Sequence, residues 1–506
     1  LSRAWWDALN AKRPHAIVIG SGFGGLAAAI RLGARGYRVT VLEQLDAPGG
    51  RAYVFRQDGF TFDAGPTIIT APFLLEELWS LCNRRFADDV ELRALQPFYR
   101  IRFHDGDVLD CSDDAARMRE QIERIAPGEF AGYQQFLKAS EAIYDVAFTR
   151  LAHRPFDSAR DMLRLTPDLV RLRSLRSIYA MAASFVKSPK LRFALSFHPL
   201  FVGGNPFSTT AIYGLIAFLE RRWGVHFAAG GTGSIIAGLI KLIEGQGNQV
   251  RYGVRVASIA LQGRRAVGVV CEDGQVLQSD IVVSNADSAS TYRDLVPRAL
   301  RRRWSNRKLD RANYSMSLFV WYFGTSKQYP DVPHHTILVG PRYRELLHDI
   351  FERKVLAEDF SLYLHRPTAS DPSLAPAGSD AFYVLSPVPN LQSNTDWRAA
   401  GESYRRAIAV FLGRTVLPDF ERHVVTSRIM TPLDFRDRLS SYHGAAFSLA
   451  PVLTQSAWFR PHNRSEDVEN LFLVGAGTHP GAGVPGVLSS ARVLDTVVPD
   501  AEVFLR

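Results

Sequence analysis

The chain is 506 residues long, 46% hydrophobic and 22% charged, with a formal net charge of +9 at pH 7. These values exclude a disordered or fibrous chain, and no uninterrupted apolar run is long enough to span a bilayer. The three cysteines, Cys82, Cys111 and Cys271, lie far apart without metal-like spacing, which excludes a disulfide framework or zinc ribbon and suits a reducing cytoplasm.

The length predicts several domains, and the most informative stretch comes first. Residues 15–43 read HAIVIGSGFGGLAAAIRLGARGYRVTVLE. An apolar β-branched run at 16–19 leads into Gly20, Gly22 and Gly25. A helix of small residues follows to Leu32, residues 33–36 turn the chain, and a second strand at 39–42 ends in Glu43. This is the strand, glycine turn, helix and strand that binds a dinucleotide. Gly20 permits the turn, Gly22 admits a pyrophosphate to the backbone, and Gly25 lets helix approach sheet. The helix N-terminus offers N–H groups to phosphate. Glu43 sits where a carboxylate accepts hydrogen bonds from an adenosine ribose. Pro48, Gly49, Gly50 and Arg51 add a second glycine turn with an arginine for phosphate or flavin. Residues 60–67 read as an alternating strand ending in a Gly-Pro turn.

Residues 74–200 are mostly helical in pattern, with apolar spacing at 74–81, 115–125 and 129–147. From Arg160 to Arg192 the basic residues Arg164, Arg171, Arg173, Arg176, Lys187 and Lys190 interleave with Leu163, Leu169, Val170 and Leu175. Basic and apolar residues at helical spacing make an interfacial surface; a solvated basic helix face gives the same pattern. Gly230 to Gly233 open another helix. Residues 253–259, 266–272, 275–278 and 280–284 read as a β-meander. Residues 313–323 form a strand with Phe319, Trp321 and Phe323 on one face. Strands at 361–365 and 381–385 extend that second sheet. A last strand at 471–474 precedes Gly475, Gly477, Gly481, Gly483 and Gly486, then a helix from Val487. Pro480 stands where the nucleotide fingerprint needs its third glycine, so this turn reads as backbone packed against a flat ring system.

Longer segments are more specific. They are PGGRAYVF at 48–55, GFTFDAGPT at 59–67, FVGGNPFSTT at 201–210, AEDFSLYLHRPT at 357–368, TQSAWFRPHNR at 454–464 and FLVGAGTHPGAGVPGV at 472–487. With them the chain resembles the bacterial-type phytoene desaturases, flavin-dependent carotenoid enzymes, from about Ala16 to about Ala491; the extension over residues 1–14 is not part of the pattern. The resemblance implies an α/β, amine-oxidase-like fold. A Rossmann-type FAD domain is assembled from separated segments at 14–73, 225–300 and 456–506. A β-sheet-plus-helix substrate domain spans 301–455, and a mostly helical part at 74–224 contacts substrate and membrane. The cofactor implied is FAD, held by Gly20, Gly22, Gly25, Glu43, Gly50, Arg51, Pro66, Thr67, Val256, Gly475, Gly477 and Val484, and no metal is expected. Arg160, Asp161 and Arg164 are implied near the reacting carbon, although Asp161 and Arg164, three residues apart, equally suit a surface pair.

The activity implied is desaturation of phytoene to neurosporene or lycopene by hydride abstraction. The implied partners are membrane lipid, an apolar polyene and a quinone or oxygen as electron acceptor. The single complete dinucleotide fingerprint goes to FAD and leaves none for NAD(P), and no nucleic-acid motif accompanies the positive charge. The expected location is cytoplasmic and peripheral to the membrane. A related flavin oxidase acting on amines, or a carotenoid-modifying desaturase or isomerase on another substrate, is a competing reading. A non-catalytic prenyl-lipid escort on the same fold is another, opposed by the intact Gly20, Gly22, Gly25, Glu43 and Arg51 set.

Overall fold

The computed structural model describes residues 13–505, so most of the 1–14 extension lies outside the described residues. His15–Ile19 (β1), Phe23–Ala34 (α1) and Arg38–Leu42 (β2) form the N-terminal unit. β1 pairs in parallel with β2 on one side and with Ile281–Ser284 on the other. Gln249–Arg251 extends the sheet beyond β2, and Leu471–Leu473 extends it beyond Ile281–Ser284, again in parallel. Three distant stretches of chain therefore build one Rossmann-type sheet.

The sequence pattern had put 280–284 in the β-meander. The structure leaves only Val256–Gln262, Arg265–Cys271 and Val276–Gln278 in that antiparallel sheet and inserts Ile281–Ser284 beside β1. The run IVVS is buried at every position. A strand apolar on both faces belongs in a parallel sheet covered from both sides, not at the edge of a meander.

Helix α1 covers one face of this sheet. Every residue from Phe23 to Leu32 is buried, and small side chains keep the helix close to its neighbours. Its one buried cation, Arg31, reaches Glu77 at 2.8 Å and Asp495 at 2.7 Å. That ties α1 to the helices Pro72–Ser80 and Val484–Val497. The last of these begins three residues before the expected Val487, because Pro485 fits the first helical turn, where no N–H is required.

The second sheet has seven strands in the order Val424–Met430, Ser317–Thr325, Asp380–Val388, Leu362–His365, His335–Val339, Tyr99–Phe103 and Val108–Cys111. The last two strands come from the stretch whose pattern reads as helical. Phe319, Trp321 and Phe323 pack with Trp397, Tyr404 and Ile408 of the helix Trp397–Thr415. The alternate residues Leu318, Val320 and Tyr322 pack against Phe55, Phe60 and Phe62 on the opposite face. Both faces of the strand are therefore core.

The basic stretch at 160–192 is three helices, Ala159–Arg171, Ile178–Ala183 and Pro189–Ser196, instead of one. Arg173 turns the chain after the first with φ of 49°, and Lys190 is engaged by Asp105 and Asp107. Among the described residues no helix is long and apolar enough to cross a membrane.

Candidate active site

One cavity of about 840 Å³ runs between the two sheets and the helical part. At one end it is lined by Gly20, Gly22, Phe23 and Gly24, by Glu43, and by Gly49, Gly50 and Arg51. β1 ends here and α1 begins here, so the cavity lies at the carboxyl edge of the parallel sheet, where such folds bind ligands. Gly20 has φ of +90°, the left-handed turn anticipated for it. The first turn of α1 follows Gly22 with no side-chain cap, and the helix Val484–Val497 begins at Gly483 in the same way. Gly483, Val484 and Pro485 also line the cavity. Two helix N-termini thus aim unpaired N–H groups and positive dipole ends at one space.

The Glu43 carboxylate is buried and oriented. Oε2 accepts from the Ser21 backbone N–H at 2.9 Å and from the Ser21 hydroxyl at 2.6 Å, and Oε1 accepts from Leu45 N–H at 2.9 Å. One acceptor position of the four on a carboxylate remains for a ligand. The Arg51 guanidinium donates to Ser441 Oγ at 3.0 Å through Nη2, while its buried Nε has no protein partner. Asp287 stands near it: burial pushes that carboxyl up, and the Arg51 charge opposes the shift. Uncapped helix ends, an arginine donor without a protein partner and glycine backbone facing the space fit the phosphates of a dinucleotide.

Pro66, Thr67, Val256 and Gly475 complete this wall. Two of the anticipated contact residues act from behind it. A Cβ on Gly25 would lie 2.1 Å from the Gly20 carbonyl oxygen, and one on Gly477 would lie 2.3 Å from Ser288 Oγ, so both glycines serve close packing. Asn285, just past the strand Ile281–Ser284, fills the space beneath Gly22, Gly24 and Gly25. Asn285 carries no sequence signal, because its place beneath the glycines depends on Ile281–Ser284 lying beside β1 and not in the β-meander.

The other end of the cavity is apolar. Phe156, Leu169, Phe193, Phe197, Phe201 and Ile337 line it. Polar groups enter there as well. Thr67 Oγ1 meets the hydroxyls of Tyr383 at 2.8 Å and Tyr363 at 3.1 Å. Glu220 accepts from the Tyr99 hydroxyl at 2.9 Å and contacts His198 Nε2 at 3.2 Å, leaving its second oxygen without a partner. His479 contacts the Leu151 carbonyl at 3.4 Å, and burial pushes its imidazole down to about 4. Tyr363, Tyr383 and Glu220 carry no local sequence signal, since none of them belongs to a motif of its own and their partners lie far away in the chain.

Arg160, Asp161 and Arg164 are not brought to the cavity. Asp161 closes a capping box at the start of Ala159–Arg171, accepting from Ser158 N–H at 3.2 Å and Ser158 Oγ at 2.7 Å. Arg164 is 81% exposed and lies 3.9 Å from Asp161. The residues that the chain from 160 to 192 contributes to the cavity are Leu169, Leu172 and Ser174.

A family model described as flavin containing amine oxidoreductase matches residues 23–493. The chain is 48% identical over 492 residues to a neurosporene-forming phytoene desaturase of Cereibacter sphaeroides, covering 96% of this chain and 95% of that one. It is 49% identical over 476 residues to a lycopene-forming phytoene desaturase of Pantoea ananas, covering 94% and 97%. Among solved structures, cyclohexylamine oxidase from Brevibacterium oxydans aligns with a TM-score of 0.62 at 15% identity over 98% of this chain and 100% of that one. Putrescine oxidase bound to putrescine aligns at 0.61 and 14% identity, covering 96% and 99%. These two likenesses concern the fold.

Proposed function

Because the chain belongs to the flavin-containing amine oxidoreductase family, and within it to the phytoene desaturases, we propose that it is an FAD-dependent desaturase that converts phytoene to neurosporene or lycopene. The observation that carries the reading is the continuity of the cavity: dinucleotide-binding backbone lines one end and a phenylalanine-rich wall the other. A hydrocarbon offers no polar handle, so shape and apolar contact alone must set its register. FAD, when bound, supplies the hydride acceptor. The chain's own residues hold and orient: helix N-termini and Arg51 for the phosphates, Glu43 for the ribose, the aromatic wall for the polyene.

The substrate lives in lipid, and we place the membrane contact on the segment around Ala159–Arg171. Leu163 is 72% exposed, Val170 60% and Leu175 55%, beside exposed Arg160, Arg164 and Arg171. Leu169, on the same helix, lines the cavity. An interfacial helix with one side on the cavity gives a hydrocarbon a route that avoids water. Arg160, Asp161 and Arg164 then serve this surface instead of the reacting carbon. The electron acceptor in this reading is a quinone or oxygen, and the protein is peripheral to a membrane facing the cytoplasm.

The test is anaerobic incubation of the purified protein with phytoene in anionic liposomes, with and without a quinone. Successive conjugated products, each absorbing at longer wavelength and formed only with quinone, are expected. Unchanged phytoene under both conditions and in air refutes the activity; turnover restored by NAD⁺ alone refutes the acceptor.

A further inference from the structure

Desaturation turns a CH₂–CH₂ unit into CH=CH. One hydrogen leaves with its electron pair, for which FAD, when bound, would supply the acceptor. The other leaves as a proton, and the electrons of its C–H bond become the new π-bond. The proton needs an acceptor in an apolar cavity, and then a way out. This inference rests on the proposed activity and names the groups that do both.

The cavity-lining Tyr363 hydroxyl stands 3.1 Å from Thr67 Oγ1 and 2.7 Å from His335 Nδ1. Tyr363 and His335 lie on neighbouring antiparallel strands, Leu362–His365 and His335–Val339. Behind them the sheet gathers two more imidazoles. His335 is paired across the strands with His365, and their rings stack at 5.2 Å. His365 Nε2 lies 3.1 Å from His334 Nε2, and His334 Nδ1 lies 2.7 Å from the hydroxyl of part-exposed Ser370. The two ring nitrogens without a partner are His335 Nε2 and His365 Nδ1, so no hydrogen bond joins the stacked pair, and a proton crosses there only when one ring turns toward the other. One tautomer set satisfies every contact: each imidazole accepts on its cavity side and donates on its outer side.

The geometry points to Tyr363 as the proton acceptor of the reaction, relaying through His335, His365 and His334 to Ser370 at the surface. Loss of hydride leaves an allylic cation that takes the hydride back unless its strongly acidic neighbouring C–H gives up the proton, so net flavin reduction waits on the acceptor, and a phenol backed by a neutral imidazole is base enough. The Tyr363 oxygen takes the proton as its own hydrogen passes to His335 Nδ1. All three histidines are buried, and burial holds His334 down to about 3 and the other two well below the usual imidazole range. The groups therefore start neutral, and burial lets a proton rest on none of them. Glu220 and His479 are the competing acceptors in the apolar part of the cavity; Tyr99 and His198 already engage one oxygen of Glu220, and burial holds His479 down to about 4.

The test is single-turnover, anaerobic reduction of the bound flavin by phytoene in liposomes, followed by loss of flavin absorbance. Tyr363→Phe keeps the ring and removes the oxygen. It should slow reduction on the order of 100-fold with FAD occupancy unchanged. His335→Gln keeps an acceptor for the Tyr363 hydroxyl but cannot carry the proton, and should slow reduction similarly if Tyr363→Phe disturbs folding. Phytoene deuterated at the proton-losing carbon should show an isotope effect in either variant larger than in the parent protein, which a merely structural role would not produce. Reduction at the parent rate in folded Tyr363→Phe overturns the assignment. So does loss of rate confined to Glu220→Gln, or stoichiometric zinc in the purified holoprotein, which would occupy the histidine lone pairs. A parent protein whose flavin phytoene never reduces refutes the proposed activity instead.

Discussion

Gly22 and Gly25 belong to one glycine motif, yet the structure predicts that they fail in different ways. A Cβ at Gly25 would stand 2.1 Å from the Gly20 carbonyl oxygen and 3.1 Å from Asn285 Cβ. The oxygen is backbone, so helix α1 and the turn must separate by about 1 Å, and overpacking of this kind costs about 1–3 kcal/mol. Gly25→Ala should therefore lower the melting temperature of the apoprotein itself, and weaken FAD as a consequence. A Cβ at Gly22 meets only the end of the Asn285 side chain, at 3.0 Å, while the glycine faces the cavity. Gly22→Ala should leave the apoprotein nearly unchanged and push the phosphates away from the first-turn N–H groups. A hydrogen bond to a charged group contributes about 1.5–3 kcal/mol, so losing one weakens FAD roughly 10- to 150-fold. Gly245→Ala is the control, since a Cβ there meets nothing within 4 Å. Thermal scans of apoprotein and FAD titration separate the effects. Equal apoprotein melting in all three variants would refute the packing argument; FAD affinity unaltered in Gly22→Ala would refute the phosphate site.

Replacing Leu163, Val170 and Leu175 by Asp should abolish flotation with anionic liposomes while FAD stays bound, because burying each such side chain contributes about 1.5–3 kcal/mol; unchanged flotation moves the membrane contact elsewhere. Asp63 is buried, accepts from Thr232 N–H at 3.0 Å, and is pushed up to about 6 by desolvation. Its folded value lies above the unfolded one, so its contribution is greatest below about pH 4 and falls by about 3 kcal/mol as pH rises through 6. Asp63→Asn, which does not titrate, should gain stability relative to the parent between about pH 4.5 and pH 7.5, read by thermal scans; a pH-independent difference contradicts the burial argument. Arg460 is 1% exposed and donates to the carbonyls of Leu449, Gln455 and Ala476. Arg460→Leu strands three buried acceptors beside the cavity wall and should cost about 3–5 kcal/mol together with FAD retention; a normally folded, yellow variant would show that water replaces the guanidinium.

Where the determinants are local, the sequence alone was sufficient. The unit from His15 to Glu43 is legible because strand, turn, helix and acid follow each other at fixed spacing, and Gly25 answers a contact with Gly20 within the same unit. The helix Ala115–Ile125 and the alternating face of Phe319, Trp321 and Phe323 are legible for the same reason, since periodicity is a property of consecutive residues. Tertiary structure decided everything that depends on which distant segment arrives alongside. Ile281–Ser284 reads as another short strand until β1 and Leu471–Leu473 take it between them. Tyr99–Phe103 becomes a strand of the second sheet because His335–Val339 pairs with it in parallel. The basic, apolar pattern after Arg160 does not reveal that Asp161 caps its own helix, or that Leu169 faces inward while Leu163 faces out. The relay from Thr67 through Tyr363 to His335 and Ser370 joins residues up to 303 positions apart, between 67 and 370. Each of them occupies an unremarkable place in its own strand or turn, and only cross-strand register hydrogen-bonds Tyr363 to His335 and stacks His335 on His365.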